Sequence, residues 1–285
     1  MARIAYVDGQ YLSIDTPAIY IEDRGYQFAD GVYEVCAIRQ GKLIDESAHL
    51  DRLDYSLTEL NIARPLARGV LKHIVREVVR RNKLRTGLIY IQVTRGVAKR
   101  DHNFSDDIKP FLVVTGRPVA KEARKKAFAK GKSVVTMPDM RWKRCDIKSI
   151  SLLPNVLARK EASKRGCDEA WLVDENGFVT EAASANAWII DQDGVIRSRQ
   201  ESTAILNGIT RQVLLHVAAK LGLPVELRPF TVDEALTARE CFSTASTMVL
   251  TPVLKINGNQ INDGKIGPFS KALADHYDEV SHLMA

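Results

Sequence analysis

The chain has 285 residues, 45% hydrophobic and 27% charged, which excludes collagen-like, coiled-coil and largely disordered sequences. Lys and Arg outnumber Asp and Glu by 41 to 35, a formal net charge of +6. The cations are dispersed rather than clustered with aromatics, so a nucleic-acid partner is not expected. No stretch approaches the roughly 18 uninterrupted apolar residues of a membrane span, and Asp8 interrupts any signal-peptide core. A soluble, cytoplasmic protein with no membrane partner is expected. Cys36, Cys145, Cys167 and Cys241 are widely spaced and fit free thiols in a reducing compartment.

In chain order, Ile4–Val7 reads as a short strand closed by Asp8-Gly9. Val32–Arg39 and Leu43-Ile44 flank Gln40-Gly41, a hairpin signal. A helix is predicted from Glu46, with Leu50, Leu53, Leu57 and Leu60 on one stripe. A second carries Val70, Leu71, Ile74, Val75, Val78 and Val79 and ends at Arg80-Arg81. Leu88–Thr94 and Pro110–Val114 read as strands. The charged stretch from Arg117 to Lys132 marks the boundary, giving an N-terminal α/β domain over 1–118, a linker over 119–131 and a C-terminal α/β domain over 132–285. Beyond it, Ser133–Thr136 is a strand, and Pro154–Arg165 is a helix closed by Gly166. Glu169–Val173 and Phe178–Glu181 form a hairpin around Asn176-Gly177, Ile209–Leu221 is a helix, and Thr231–Glu234 is a capping box.

The common catalytic signatures are missing. There is no G-x-G-x-x-G, G-x-S-x-G or H-E-x-x-H, and the six histidines lack ligand spacing, so no metal is expected. Three segments place polar groups in apolar surroundings. Asn207–Arg211 opens a helix, where N–H groups and a hydroxyl suit either ordinary capping or a phosphate. Ser243–Thr247 packs four hydroxyls into five residues, fitting a polar turn or a second set of donors. Arg100-Asp101-His102 offers two cations to a carboxylate, unless it is simply a solvated loop.

Four separated segments together resemble one family. Glu22–Glu34 resembles the N-terminal signature of D-amino acid aminotransferases, within the fold-type IV pyridoxal-phosphate enzymes that also include branched-chain aminotransferases and aminodeoxychorismate lyases. Arg141–Ser149 resembles the family's cofactor-lysine segment. Val179-Thr180-Glu181, with Ser184 and Asn186, resembles its cofactor-nitrogen segment, and Ile205–Arg211 its phosphate loop. The resemblance implies an α/β fold of two mixed-sheet domains with pyridoxal 5'-phosphate at their interface, the cofactor lysine falling in the second.

It also implies the site residues. Lys148 would form the Schiff base and shuttle the proton between the substrate Cα and the cofactor C4′. Glu181 would pair with the pyridine nitrogen. Arg52, Ile209 through its N–H, Thr210 and Ser246 would hold the phosphate, with Leu206 in the same cofactor loop. Tyr33, Arg100 and His102 would trap the substrate α-carboxylate, the last two donated across a homodimer. A trap on that side presents the Cα–H of a D-amino acid to Lys148, so the implied reaction is transamination between a D-amino acid such as D-alanine and a 2-oxo acid such as 2-oxoglutarate. An L-branched-chain aminotransferase, an (R)-amine transaminase or an aminodeoxychorismate lyase of the same fold is the alternative. The chain departs from the family pattern at Ala182, Ala183, Ala185 and Ala245, where small polar residues are usual.

Overall fold

A computed structural model describes residues 3–281. The chain forms two compact units. Of the described residues, the first gathers 3–121 together with Ile147–Ser151; the second holds Glu122–Asp146 and 152–281.

In chain order the first unit contains β1 (Ile4–Val7), β2 (Gln10–Ser13), α1 (Arg24–Phe28), β3 (Gly31–Arg39), β4 (Lys42–Leu43), α2 (Glu46–Glu59), α3 (Arg68–Arg81), β5 (Thr86–Thr94) and β6 (Phe111–Pro118). Its strands form one sheet in the order β2-β1-β6-β5-β3-β4. Every pairing is antiparallel. The β3–β4 hairpin turns at Gln40 and Gly41, whose φ of 52° and 82° give the left-handed turn that matches strand twist. Leu50, Leu53 and Leu57 of α2 and Leu71, Ile74, Val75 and Val78 of α3 form a core with Ile38, Ile89, Ile91 and Val93 of the sheet. Val70, one residue off that stripe, is 48% exposed, as a period of 3.6 demands.

The second unit runs α4 (Ala123–Lys130), β7 (Lys132–Pro138), α5 (Leu153–Lys164), β8 (Glu169–Val173), β9 (Phe178–Ala182), β10 (Asn186–Ile190), β11 (Ile196–Ser198), α6 (Ile209–Lys220), β12 (Val225–Leu227), β13 (Phe230–Thr231), α7 (Val232–Leu236), β14 (Glu240–Ala245), β15 (Val249–Ile256), β16 (Asn259–Gln260) and α8 (Pro268–Ser281). Its sheet has the order β12-β11-β10-β14-β15-β7-β8-β9-β13, with β16 on β15. The β15–β7, β7–β8 and β11–β12 pairs are parallel and the rest antiparallel. One core joins Trp188 and Phe242 to Val213, Leu214 and Val217 of α6 and Leu273 and Tyr277 of α8; another surrounds Trp171 and Phe230.

Two expectations need correction. The stretch expected as a linker forms α4, which is tied to the second unit because Phe128 packs on its core and Arg124 donates to Asp278 at 2.7 Å. The segment around Lys148, expected in the C-terminal domain, belongs to the first unit. Backbone bonds hold it there: Tyr33 N donates to the Lys148 carbonyl at 2.9 Å, and Ile150 N to the Gly31 carbonyl at 3.0 Å. A Cβ on Gly31 would stand 2.7 Å from the Val93 carbonyl oxygen and 3.1 Å from Ile150 Cδ1, so the close approach needs glycine.

Candidate active site

In the first unit the lysine is set by β3. Lys148 N donates to Ser56 Oγ at 3.2 Å, and its Nζ lies 4.3 Å from the centre of the Tyr33 ring. Tyr33 stacks on Tyr90, centroids 5.5 Å apart at 29°. Burial, with Tyr33 beside it, pushes the Tyr90 hydroxyl up to about 12, so it stays a neutral donor, to Gln92 Oε1 at 2.6 Å.

The pleat turns the next residue of β3, Glu34, to the opposite face, where it is fully buried. His49 and Arg52, three residues apart on α2, meet it there. His49 Nδ1 lies 2.7 Å from Glu34 Oε2, while Arg52 donates through Nε to Oε1 at 2.7 Å and through Nη2 to Oε2 at 2.9 Å. Burial alone would raise the Glu34 carboxyl; Arg52 and His49 outweigh it and hold the acid well below the usual carboxylate range. Arg52, by default a surface residue, is thus a buried, paired cation. Glu34 and His49 are members of this cluster that the sequence did not single out. Their signal was a strand acid facing a helix with His and Arg one turn apart.

Arg100 and His102 stand in an exposed loop after β5, both against Phe28 of α1. The Arg100 Cζ is 4.6 Å from the ring centre, and the His102 ring centroid 5.6 Å from it.

In the second unit Glu181 lies near the end of β9, 5% exposed. Asn186 Nδ2 donates to Glu181 Oε2 and to the Leu206 carbonyl, each at 2.9 Å, and Leu206 N donates back to the same carboxylate at 3.2 Å. Leu206 and Glu181 are therefore brought together. Arg141 Nη1 also pairs with Glu181, while its Nε and Nη2 hold Asp139 at 2.9 and 2.7 Å. Burial raises and Arg141 lowers the Asp139 carboxyl, with a net shift downward. Arg141 stands in the segment that resembles the cofactor-lysine motif, and nothing in the sequence marks it for this pairing. The hydroxyl of Ser184, in the same motif as Glu181, turns away to Glu169 Oε2 at 2.8 Å.

Ile209 and Thr210 open α6, both buried. The N-cap is Gly208, with no side-chain cap bond, so the first-turn N–H groups are open to another acceptor. A Cβ on Gly208 would fall 2.2 Å from Asn186 Oδ1, which ties this loop to the Glu181 cluster. Arg211, fully buried, donates to the Arg199 carbonyl at 2.9 Å, and its Nε has no hydrogen-bond partner. The hydroxyl run divides in two. Ser243 Oγ and Thr244 Oγ1 accept from the indoles of Trp171 and Trp188 at 3.2 and 2.9 Å, leaving Ser246 and Thr247 in the β14–β15 turn. Val249, which follows that turn, has φ of 65°, unusual for a β-branched residue.

Among the described residues no group of three or more His, Cys, Asp or Glu is arranged to hold a metal, and no helix is long and apolar enough to cross a membrane. Comparison with known proteins gives one consistent result. Residues 31–256 match the amino-transferase class IV family. A D-alanine aminotransferase of Listeria monocytogenes is 38% identical over 276 residues, 96% of this chain and 94% of that protein. One from Bacillus licheniformis is 39% identical, covering 93% of this chain and 92% of the relative. Among solved structures, a T.th. branched-chain amino acid aminotransferase with pyridoxamine 5'-phosphate aligns with a TM-score of 0.90 at 25% identity, over 100% of this chain and 96% of that one. The chain is a member of the class IV aminotransferase family.

Proposed function

We propose that the protein exchanges amino groups between D-amino acids, D-alanine among them, and 2-oxo acids such as 2-oxoglutarate, with pyridoxal 5'-phosphate as cofactor. The residues suit that group chemically. Glu181 offers a buried carboxylate to a protonated ring nitrogen. The uncapped first turn of α6, at Ile209 and Thr210, offers donors to a phosphate. The buried, unpartnered Nε of Arg211 lies in the same turn. Ser246 supplies a hydroxyl, Arg52 a buried cation, and Leu206 the loop that keeps Glu181 in place. Lys148 Nζ is the amine that would hold the cofactor aldehyde.

When bound, the cofactor serves as a sink for the electrons left at the substrate Cα. The chain does the rest. Lys148 would be the base that takes the proton from the substrate Cα and holds it for return on the same side. Glu181 holds a proton at the ring nitrogen. Tyr33 orients the lysine, and together with Arg100 and His102 it grips the α-carboxylate.

The observation that carries the D-amino acid reading is the grouping of Arg100 and His102 about the Phe28 ring, exposed and free to meet an anion. Their exposure also suits donation to the site of a second copy, so the active species is a homodimer. Mixing the inactive Lys148→Ala chain with the weakened Arg100→Leu chain should then restore part of the activity toward D-alanine. The four unpaired cysteines suit a cytoplasmic location.

The test is the visible absorbance of the holoenzyme as D-alanine and L-leucine are added separately. A band lost with D-alanine alone is expected. Loss with L-leucine instead would favour the branched-chain alternative and remove the role given to Arg100 and His102.

A further inference from the structure

We propose that Arg24 and Phe28 are positioning residues for the carboxylate trap and set the preference for substrates that bear a carboxylate. This rests on the reading of Arg100 and His102 given above. Behind Arg100 and His102 stands a ladder of alternating guanidinium groups and rings. Arg95 Cζ lies 3.9 Å from the centre of Phe104, Arg24 Cζ 5.0 Å from Phe104 and 4.8 Å from Phe28, and Arg100 Cζ 4.6 Å from Phe28.

Arg24 is the central rung. Its side chain is 4% exposed, and each of its nitrogens is engaged. Nε donates to Asp30 Oδ2 at 2.9 Å, Nη1 to the Asp101 carbonyl at 2.7 Å, and Nη2 to the His102 carbonyl at 3.5 Å. Asp101 is the residue between Arg100 and His102, so the short bond pins the backbone that separates the two side chains. Arg95 shares the same Asp30 oxygen at 2.8 Å and is itself fixed to the Leu60 and Asn61 carbonyls at 2.8 and 3.0 Å, at the end of α2. The loop is thereby tied to a rigid element. At the other side Arg24 N donates to the Gly96 carbonyl at 2.9 Å, and Asp23 caps α1 while accepting from Thr94 Oγ1 at 2.8 Å.

A five-residue helix does not need a buried arginine for its stability; apolar packing would serve at lower desolvation cost. What the arginine adds is a direct connection to the loop carbonyls. It also leaves two buried cations sharing one carboxylate, which biases the loop toward an anion. Phe28 in turn is a neighbour common to both, with the Arg100 guanidinium near its ring and the His102 ring tilted at 52° to it, and so limits how far each can move.

The experiment compares holoenzyme variants Arg24→Met, Arg24→Lys, Phe28→Leu, Phe28→Tyr and Arg100→Leu. The first half-reaction is followed by absorbance with D-alanine and with D-alaninol, which lacks the carboxylate. Competitive inhibition by propionate, a carboxylate without an amine, is measured alongside. The preference for D-alanine over D-alaninol should fall on the order of tenfold in Arg24→Met, the effect of losing one charged hydrogen bond. It should fall about threefold in Phe28→Leu. Both losses should appear in the apparent dissociation constants for D-alanine and propionate, with the limiting rate unchanged. Phe28→Tyr should behave as the parent, and Arg24→Lys should fall between, since one ammonium cannot span Asp30 and the loop.

The proposal is overturned if Arg24→Met and Phe28→Leu weaken both substrates equally, or if they leave the preference intact while Arg100→Leu abolishes it. If Arg100→Leu also leaves it intact, the carboxylate reading falls too. Should Arg24→Met fail to fold, the two Phe28 variants decide the matter.

Discussion

Replacing Glu34 with Gln would remove the anion shared by two cationic or potentially cationic groups, and the structure fixes the expected size of the effect. Glu34 is fully buried and Arg52 nearly so, and the pair is joined by two charge-assisted bonds of 2.7 and 2.9 Å. Breaking one side of a buried pair leaves a desolvated charge and costs about 3–5 kcal/mol. Replacing both partners should cost clearly less than the sum, so Glu34→Gln combined with Arg52→Met should show a coupling of at least about 2 kcal/mol.

The pH dependence supplies a second check. The folded carboxyl is held below its unfolded value of 4.5, so its stabilisation is complete above that value and is lost as pH falls. Below it the unfolded chain binds one more proton than the folded one, and the parent should lose about 1.4 kcal/mol per pH unit that Glu34→Gln does not. Urea unfolding of parent, single and double variants at about pH 7, repeated toward about pH 3, measures both effects. A single variant within about 1 kcal/mol of the parent, or additive single effects, would refute the argument.

Three further outcomes follow from local geometry. Thr244→Val removes the acceptor of the buried Trp188 indole and should cost about 1–3 kcal/mol in urea unfolding; a loss below about 0.5 kcal/mol would mean the indole needs no acceptor there. Gly208→Ala drives a methyl group into Asn186 and so disturbs Glu181 and Leu206. It should weaken pyridoxal phosphate binding to the apoprotein on the order of tenfold by fluorescence titration, and unchanged affinity would contradict it. Burial pushes the Cys145 thiol up to about 12 and raises Cys36 and Cys241 as well. Cys167 is therefore expected to react first with a thiol reagent near pH 8, as peptide mapping of the labelled protein would show.

Much of the fold was legible where a pattern had one dry side. The stripes of α2 and α3, the Gln40-Gly41 hairpin, the Gly166 stop and the Thr231 capping box all appear as local chemistry predicts. Elements without such a contrast were not. β10 is buried at every position, so alternation is absent, and α4 buries no residue fully and shows no stripe. α1 is only five residues long, whereas α8, with Leu273, Tyr277 and Val280 buried along one stripe, carried a helical pattern that the reading passed over.

The site was less legible than the fold, because its charges are balanced at a distance. Arg52 reads as a surface residue until Glu34, 18 positions earlier, is placed against it. Lys148 carries no local mark; family resemblance singled it out, and its anchor Ser56 is 92 residues away. Ser243 and Thr244 resembled ligand donors, yet their hydroxyls serve two indoles that sequence alone cannot bring near them.

The return of Ile147–Ser151 to the first unit has a consequence for biosynthesis. That unit's sheet and helices are complete by Lys121, but the strip that pairs with Gly31, Val32 and Tyr33 is not translated until 26 residues later, counting from Lys121 to Ile147. A nascent chain paused after β6 therefore leaves the start of β3 without this partner. Lys148 reaches the ribosome exit only with the segment that completes the unit. A gene split at the border between the units would yield an amino-terminal product lacking both its closing strip and its lysine.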